Sequence, residues 1–234
     1  MRFMIAPEVF ARFPGLMIAV AVAQGVDNAH DRPGIAQSWR SAWAEAGMAA
    51  APFGNAQSHP RVRPWRDRFT AMGVSGKQFP SSVEALLRRA LKGGDPFAIN
   101  PLVDFYNATS LRHVVPAGAF DLSAVLDSLE LRLTRPGDEF TALDAVASES
   151  IPPGEVAYAT GATILTRHFV WRQARTALVT PATTEVFLVS EILGEVGHPV
   201  AEAVLAEFQS GLRDDFGVPS VGFLLDEQHA SVAW

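Results

Sequence analysis

The sequence contains no cysteine. That excludes disulfide frameworks, thiolate nucleophiles and cysteine-held zinc together, and it fits a reducing compartment. Long hydrophobic runs are missing too. The longest, Leu16–Ala23, falls well short of the roughly 20 residues a membrane-spanning helix needs. Read with Met1 and Arg2, that run loosely resembles a secretory leader, but Glu8 and Arg12 interrupt it, and leaders keep their hydrophobic stretch free of charge. A cytoplasmic location without a membrane partner is the expectation. The usual short motifs of catalysis are absent as well: no Gly-x-Gly-x-x-Gly, no phosphate-binding loop, no Gly-x-Ser-x-Gly and no His-x-x-x-His, so none of the mechanisms those spacings support is indicated. The six histidines, at positions 30, 59, 113, 168, 198 and 229, show no ligand spacing. No metal and no cofactor are expected.

Apolar residues, by contrast, make up 48% of the 234 residues, enough to build a substantial core. Charged residues are sparse at 19%, against about 25% in an average globular chain. The net charge of −6 is unevenly spread. From Glu185 to Trp234 nine acidic residues face a single basic one, Arg213. Between His59 and Lys92 the balance reverses, with eight basic residues against Asp67 and Glu84. A local basic stretch on an acidic chain suits phosphate contact, and it equally suits a solvated loop and helix face.

Periodicity gives a mixed order of elements. Ile5–Phe10 and Leu16–Ala23 read as strands, the second following Pro14-Gly15. Ile35–Ala50 reads as a helix, and residues 51–66 as a loop carrying Arg61, Arg63 and Arg66. Ser81–Leu91 is the clearest helix, with a Ser81/Glu84 capping box, apolar Val83, Leu86, Leu87, Ala90 and Leu91 on one face, and Gly93-Gly94 ending it. Arg88, Arg89 and Lys92 fall off that apolar stripe. Asn100-Pro101 opens another helix, predicted to end near Arg112. Leu129–Thr134, Val156–Tyr158, Ile164–Val170, Val186–Ile192 and Val221–Leu225 read as strands, and Pro199–Phe216 as an amphipathic helix. No repeat or linker divides this series. It points to one α+β domain over residues 1–234.

Two constellations carry polar groups. In the helix after Pro101, Asn100, Asp104 and Asn107 share one face, amid Leu102, Val103, Phe105, Tyr106 and Leu111. A helix so apolar elsewhere is buried, so its polar stripe either ties it to neighbouring backbone or lines a cavity. The second is Arg167-His168-Phe169-Val170-Trp171-Arg172-Gln173-Ala174-Arg175. Its arginines suit phosphate or carboxylate, and equally suit ion pairs with the acidic C-terminal segment.

The stretch INPLVDFYNATSLRHVVPAGAFD, from Ile99, resembles the B3/B4 domain of bacterial phenylalanyl-tRNA synthetase β subunits. The matching pieces are Asn100, Val103-Asp104, Tyr106-Asn107 and Pro116-Ala-Gly-Ala-Phe-Asp121. PGDEFTALD from Pro136, PPGEVAY from Pro152 and VTPATTEVFLV from Val179 follow in family order. The resemblance covers about residues 65–193. The variants SSVEALLRRAL and VWRQARTALVT look more like the free-standing B3/B4 proteins than the synthetase itself.

That resemblance implies an α+β fold with a β-sandwich or mixed-sheet core flanked by helices. It implies action on aminoacylated tRNA, hydrolysing the ester that joins a wrong amino acid to the tRNA 3′ end; the oligomeric state stays open, with a monomer favoured. Carried over by position, Asn107, Tyr106 and Gly118 would border the ester. Asp104, Asp121, Glu155, Asn100 and His168 would shape the amino-acid pocket, and Arg88, Arg89, Arg172 and Arg175 would hold the tRNA end. Three departures bear on specificity. Gly118 replaces a histidine of the synthetase domain, Tyr106 replaces a threonine, and the Trp171–Arg175 region replaces a glycine-rich strand that helps recognise tyrosine. Tyrosine specificity is therefore not carried over. Some free-standing members resemble deacylases for tRNA bearing a non-protein amino acid, including the arginine mimic canavanine. A non-catalytic module binding an RNA end or an amino acid remains open as an alternative, as does a hydrolase for a small amino-acid ester or amide.

Overall fold

A computed structural model describes residues 1–234. In chain order, the first half runs β1 (Arg2–Ile5), α1 (Pro7–Arg12), β2 (Met17–Gln24), α2 (Pro33–Ala50), α3 (Arg63–Ala71), α4 (Ser82–Ala90) and α5 (Pro101–His113). Then come β3 (Ala117–Asp121), β4 (Ser128–Leu133), β5 (Glu139–Phe140), β6 (Glu149–Ser150), β7 (Val156–Thr160), β8 (Thr163–Ile164), β9 (Thr166–Arg167) and β10 (Arg172–Gln173). The chain closes with β11 (Glu185–Ile192), α6 (His198–Asp214), β12 (Ser220–Leu225) and β13 (Ser231–Ala233).

The fold is α+β. Four strands form one sheet in the order β12-β2-β11-β3, and a seven-stranded sheet runs β13-β1-β4-β7-β8-β5-β6. The two sheets face each other across a core of Phe3, Ile18, Val20, Val22, Phe120, Leu131, Tyr158 and Phe187. The opposite face of the four-stranded sheet is covered by α5 and α6, whose Leu102, Phe105, Phe208 and Leu212 pack with Ala19, Ala21 and Ala23. This explains the unbroken apolar run of β2. A strand covered on both faces has no solvent side to make polar. Its larger side chains point into the sandwich and its alanines toward the helices. A third cluster, with Trp39, Trp43, Leu86, Leu87 and Leu111, joins α2, α4 and α5. The chain ends also meet: the Met1 amino group donates to the Trp234 carbonyl at 2.8 Å.

The structure differs from the sequence expectations in three places. Ile5–Phe10 is not one strand, because β1 stops at Ile5 and α1 begins at Pro7. Proline at the first helical position and Glu8 in the first turn favour the helix start, and the helix buries Val9 and Phe10. Residues 51–66 are not simply loop: two short 3₁₀ turns lead into α3, which buries Trp65 and Phe69. Ile164–Val170 breaks into β8, β9 and a turn, for reasons that belong to the site itself. No helix is long and apolar enough to cross a membrane.

Candidate functional site

At one end of the sandwich, α4, α5, the edge strand β3 and the β9–β10 hairpin enclose a cavity of about 300 Å³. Tyr106 and Asn107, successive residues of α5, both border it. Gly118 borders the same cavity from β3. Its cross-strand partner Val189 lines the same cavity, and opposed residues of a ladder point to the same side of a sheet. A Cβ built at Gly118 would meet nothing within 4 Å, so the absent side chain opens this space. Burial holds the Tyr106 hydroxyl well above the ordinary phenol pKa, with the Asp104 charge adding to the effect; Tyr106 is a neutral wall. Asn107 is buried, with 7% of its surface exposed, and its side chain is left to face the cavity.

Most of the remaining wall is apolar, with Val103, Phe120, Phe169 and Val170 among its residues. Its buried carboxyl group is Glu191, on β11, 4% exposed. The Tyr158 hydroxyl donates to Glu191 Oε1 at 2.8 Å. Loss of hydration raises the Glu191 pKa from 4.5 to about 7, although the Tyr158 hydrogen bond favours the charged form. The same burial, reinforced by the neighbouring carboxylate, drives the Tyr158 hydroxyl pKa far upward. The sequence reading passed over both residues. The available signal was a polar pair, Ser190-Glu191, inside an otherwise apolar strand: a buried charge needs a partner or a purpose.

The hairpin wall is fastened from two sides. Gln173 Nε2 donates to the Ala119 carbonyl at 2.9 Å, bridging β10 to the open edge of β3. On the far side, Glu155 accepts from the Arg167 Nε at 2.9 Å and from the backbone N–H of His168. His168 and Phe169 both adopt left-handed backbone conformations, φ +46° and +61°, which cost energy in residues with a Cβ. Glu155 stabilises this double reversal. A continuous strand over Ile164–Val170 would put Arg167 and His168 on opposite faces. Instead the chain turns after Arg167, and Phe169 becomes a wall shared by the first cavity and a second one of about 290 Å³. That second cavity contains Arg12, Glu155, Arg167 and His168. Burial lowers the His168 pKa, partly offset by the Glu155 charge.

The expected site residues thus separate into groups. Tyr106, Asn107 and Gly118 converge. Asn100 lies outside the first cavity: it caps α5 by accepting from Val103 N–H at 3.1 Å, and it also accepts from Asn28 Nδ2 at 3.0 Å. Asp104 accepts from Ile99 N–H at 3.1 Å, and burial raises its pKa. Asp121 accepts from Ser123 N–H at 2.9 Å and from the Thr183 hydroxyl at 2.5 Å, fixing the turn after β3. Glu155 and His168 border the second cavity. The polar stripe of α5 therefore divides: its first two members anchor backbone, and the third faces the cavity.

Among the arginines, Arg172 lines the cavity and pairs with exposed Asp144 at 2.6 Å. Arg89 lies over the ring of Phe97, itself a cavity residue, at 5.2 Å. Arg88 lies beside Lys92 in a neighbouring groove. Arg175 is exposed and donates to the Ala145 carbonyl at 3.4 Å. No cluster of three His, Asp or Glu side chains converges as a metal site would require.

A family model described as the B3/4 domain matches residues 65–197. The chain belongs to the B3/4 domain family. No curated protein matches it. Among solved structures it is similar to an N-terminal fragment of the phenylalanyl-tRNA synthetase β subunit from Pyrococcus horikoshii, with a TM-score of 0.44 and 10% identity over 96% of this chain and 54% of that one. It spans about half the length of that chain. Every residue lining the first cavity, from Ser82 to Glu191, lies within the B3/4 match. The flanks outside the match supply scaffold: β1, β2 and α2 on one side, and α6, β12 and β13 on the other.

Proposed function

We propose that this B3/4 domain, acting as a single unit over residues 1–234, is a trans-editing deacylase: it binds the 3′ end of a mischarged tRNA and hydrolyses the aminoacyl ester. The observation that carries the reading is the convergence of Tyr106, Asn107 and Gly118 on one cavity inside the family-matched segment. About 300 Å³ lies at the small end of ligand pockets, a size for an amino-acid side chain with its ester at the mouth.

An aminoacyl ester is already activated, so the site has to place a water and stabilise the oxyanion. Asn107 offers an amide for the second task. A backbone donor accompanies it. Ala119 turns its carbonyl away from β11 toward Gln173, and in an antiparallel ladder the N–H of a residue turns the same way as its carbonyl. The vicinal ribose hydroxyl can relay the proton, which removes the need for a protein nucleophile.

Arg172 and Arg89 at the rim, with Arg88 and Arg175 beyond them, would hold the tRNA phosphates. The Arg172–Asp144 pair is exposed, and such pairs are worth at most about 1 kcal/mol, so a phosphate can displace Asp144. The amino acid removed is a non-cognate one, with the arginine mimic canavanine as the leading candidate. Asp104, Asp121 and Glu155 do not line the cavity, so support for that choice passes to Glu191.

Release of radiolabelled amino acid from a panel of mischarged tRNAs tests the reading. Hydrolysis of at least one species well above buffer, abolished by Asn107→Ala, is expected. A flat panel in which tRNA binding persists would show a binding module instead.

A further inference from the structure

The cavity holds a group that hydrolysis does not use. Glu191 is nine-tenths buried, its Oε1 accepts from Tyr158, no other side chain donates to it, and its own backbone N–H is the one further donor that favours the charged form. The walls around it are largely apolar. The titratable or charged side chains that share the cavity with it are Tyr158 on β7, Tyr106 on α5 and Arg172 on β10; Gln173, Asn107, Ser82 and Thr166 complete the polar lining. Arg172 is committed to Asp144 at 2.6 Å, and Gln173 to Ala119 at 2.9 Å. Tyr106 is neutral, and Tyr158 can give Glu191 one hydrogen bond only. From its own strand Glu191 has only its backbone N–H, shared between its carboxyl group and the Pro116 carbonyl at 3.3 Å. No cation of the protein therefore neutralises this carboxylate.

Resting on the ester-hydrolysis reading, we infer that Glu191 is the specificity-determining residue of the cavity, and that it selects amino acids whose side chain ends in a cation. An apolar side chain would bury Glu191 completely and force it to stay protonated. A chain with an apolar stem and a terminal amino or guanidino group packs its stem against the apolar wall. Its charge then meets the free oxygen of Glu191, a charge-assisted bond in a low-dielectric site. Tyr158 is a positioning residue: its hydroxyl fixes Oε1, so that Oε2 presents itself to the ligand.

With a carboxyl group that titrates near 7, the selection depends on pH. A side chain that stays cationic throughout, as arginine and lysine do, needs Glu191 charged, so its advantage grows as pH rises through 7. The amino group of the ester titrates close by in every variant, so the difference between wild type and Glu191→Gln is the readout.

The experiment measures kcat/KM for tRNAs charged with arginine, canavanine, lysine, leucine and methionine, between pH 6 and 8.5. Binding of argininamide and norleucinamide is followed by calorimetry alongside. Wild type should prefer the cationic group by at least about tenfold, roughly one hydrogen bond to a charged group. Glu191→Gln should erase that preference through KM and remove its pH dependence, and Tyr158→Phe should weaken it. Hydrolysis that favours leucine or methionine, or a preference unchanged in Glu191→Gln, overturns the inference and leaves the deacylase reading standing. Glu191-dependent binding of argininamide without hydrolysis of any ester overturns the deacylase reading and keeps the inference. Absence of both overturns both.

Discussion

Phe169 separates two cavities of nearly equal size, about 300 and 290 Å³, and each contains a glutamate whose side chain is largely shielded from solvent. In the second cavity, Glu155 is saturated: Arg167, the His168 N–H and the His168 ring surround it. In the first, Glu191 has one hydroxyl donor and no cation. Burial alone does not distinguish a structural carboxylate from a functional one. The count of partners does, because a fully paired buried charge holds the fold in place, whereas an underpaired one costs stability that only a ligand can return.

Removing the saturated partner should have the largest effect. Glu155→Ala leaves Arg167 only the exposed Glu149, strands the N–H of a strained turn, and is expected to cost about 4 kcal/mol, read by chemical denaturation. A loss below about 1 kcal/mol would dissolve the contrast. The underpaired glutamate should behave oppositely. Its folded-state pKa stands above the unfolded one, so the folded protein binds the extra proton between pH 4.5 and about 7. The sign follows: this contribution is fully present below 4.5 and is lost as pH rises to 7, an amplitude on the order of 3 kcal/mol. Glu191→Gln should therefore melt higher than wild type at pH 8 and level with it at pH 5. Identical pH dependence in the two proteins would refute this.

Filling each cavity sharpens the comparison further. Gly118→Phe places a ring where a Cβ now meets open space, and should lower deacylation at least about 100-fold, as misplacement of a reacting group does. Val74→Phe, in the second cavity, should change it less than threefold. Equal losses would make the cavities one functional unit. The smallest effect concerns the rim. Arg172→Ala should reduce the slope of log affinity for tRNA against log salt by about 1, with argininamide binding almost unchanged.

The sequence made the scaffold legible where local chemistry agreed with the tertiary demand. The Ser81 cap, the Asn100-Pro101 start and the apolar run of β2 all read directly, because each records a backbone need or a burial pattern. Ile164–Val170 misled, since its apolar residues look like a strand while its conformation is set by Glu155, distant in sequence. The site was legible in part for a similar reason. Tyr106, Asn107 and Gly118 lie in one contiguous family block. Glu191 acquires meaning only from Tyr158 across the sandwich, a pairing that no local pattern encodes. The α5 stripe was ambiguous because capping and cavity-lining place the same residue types at the same helical spacing.

The alanines of β2 have a reach beyond packing. Ala19, Ala21 and Ala23 lie in the layer beneath α6, and α6 in turn backs α5, the helix that carries Asn107. The strip works as a shim two layers behind the pocket. Enlarging one of these methyl groups would lift α6 and loosen the seat of α5 without altering any residue that lines the cavity, so the pocket can be retuned from its foundations.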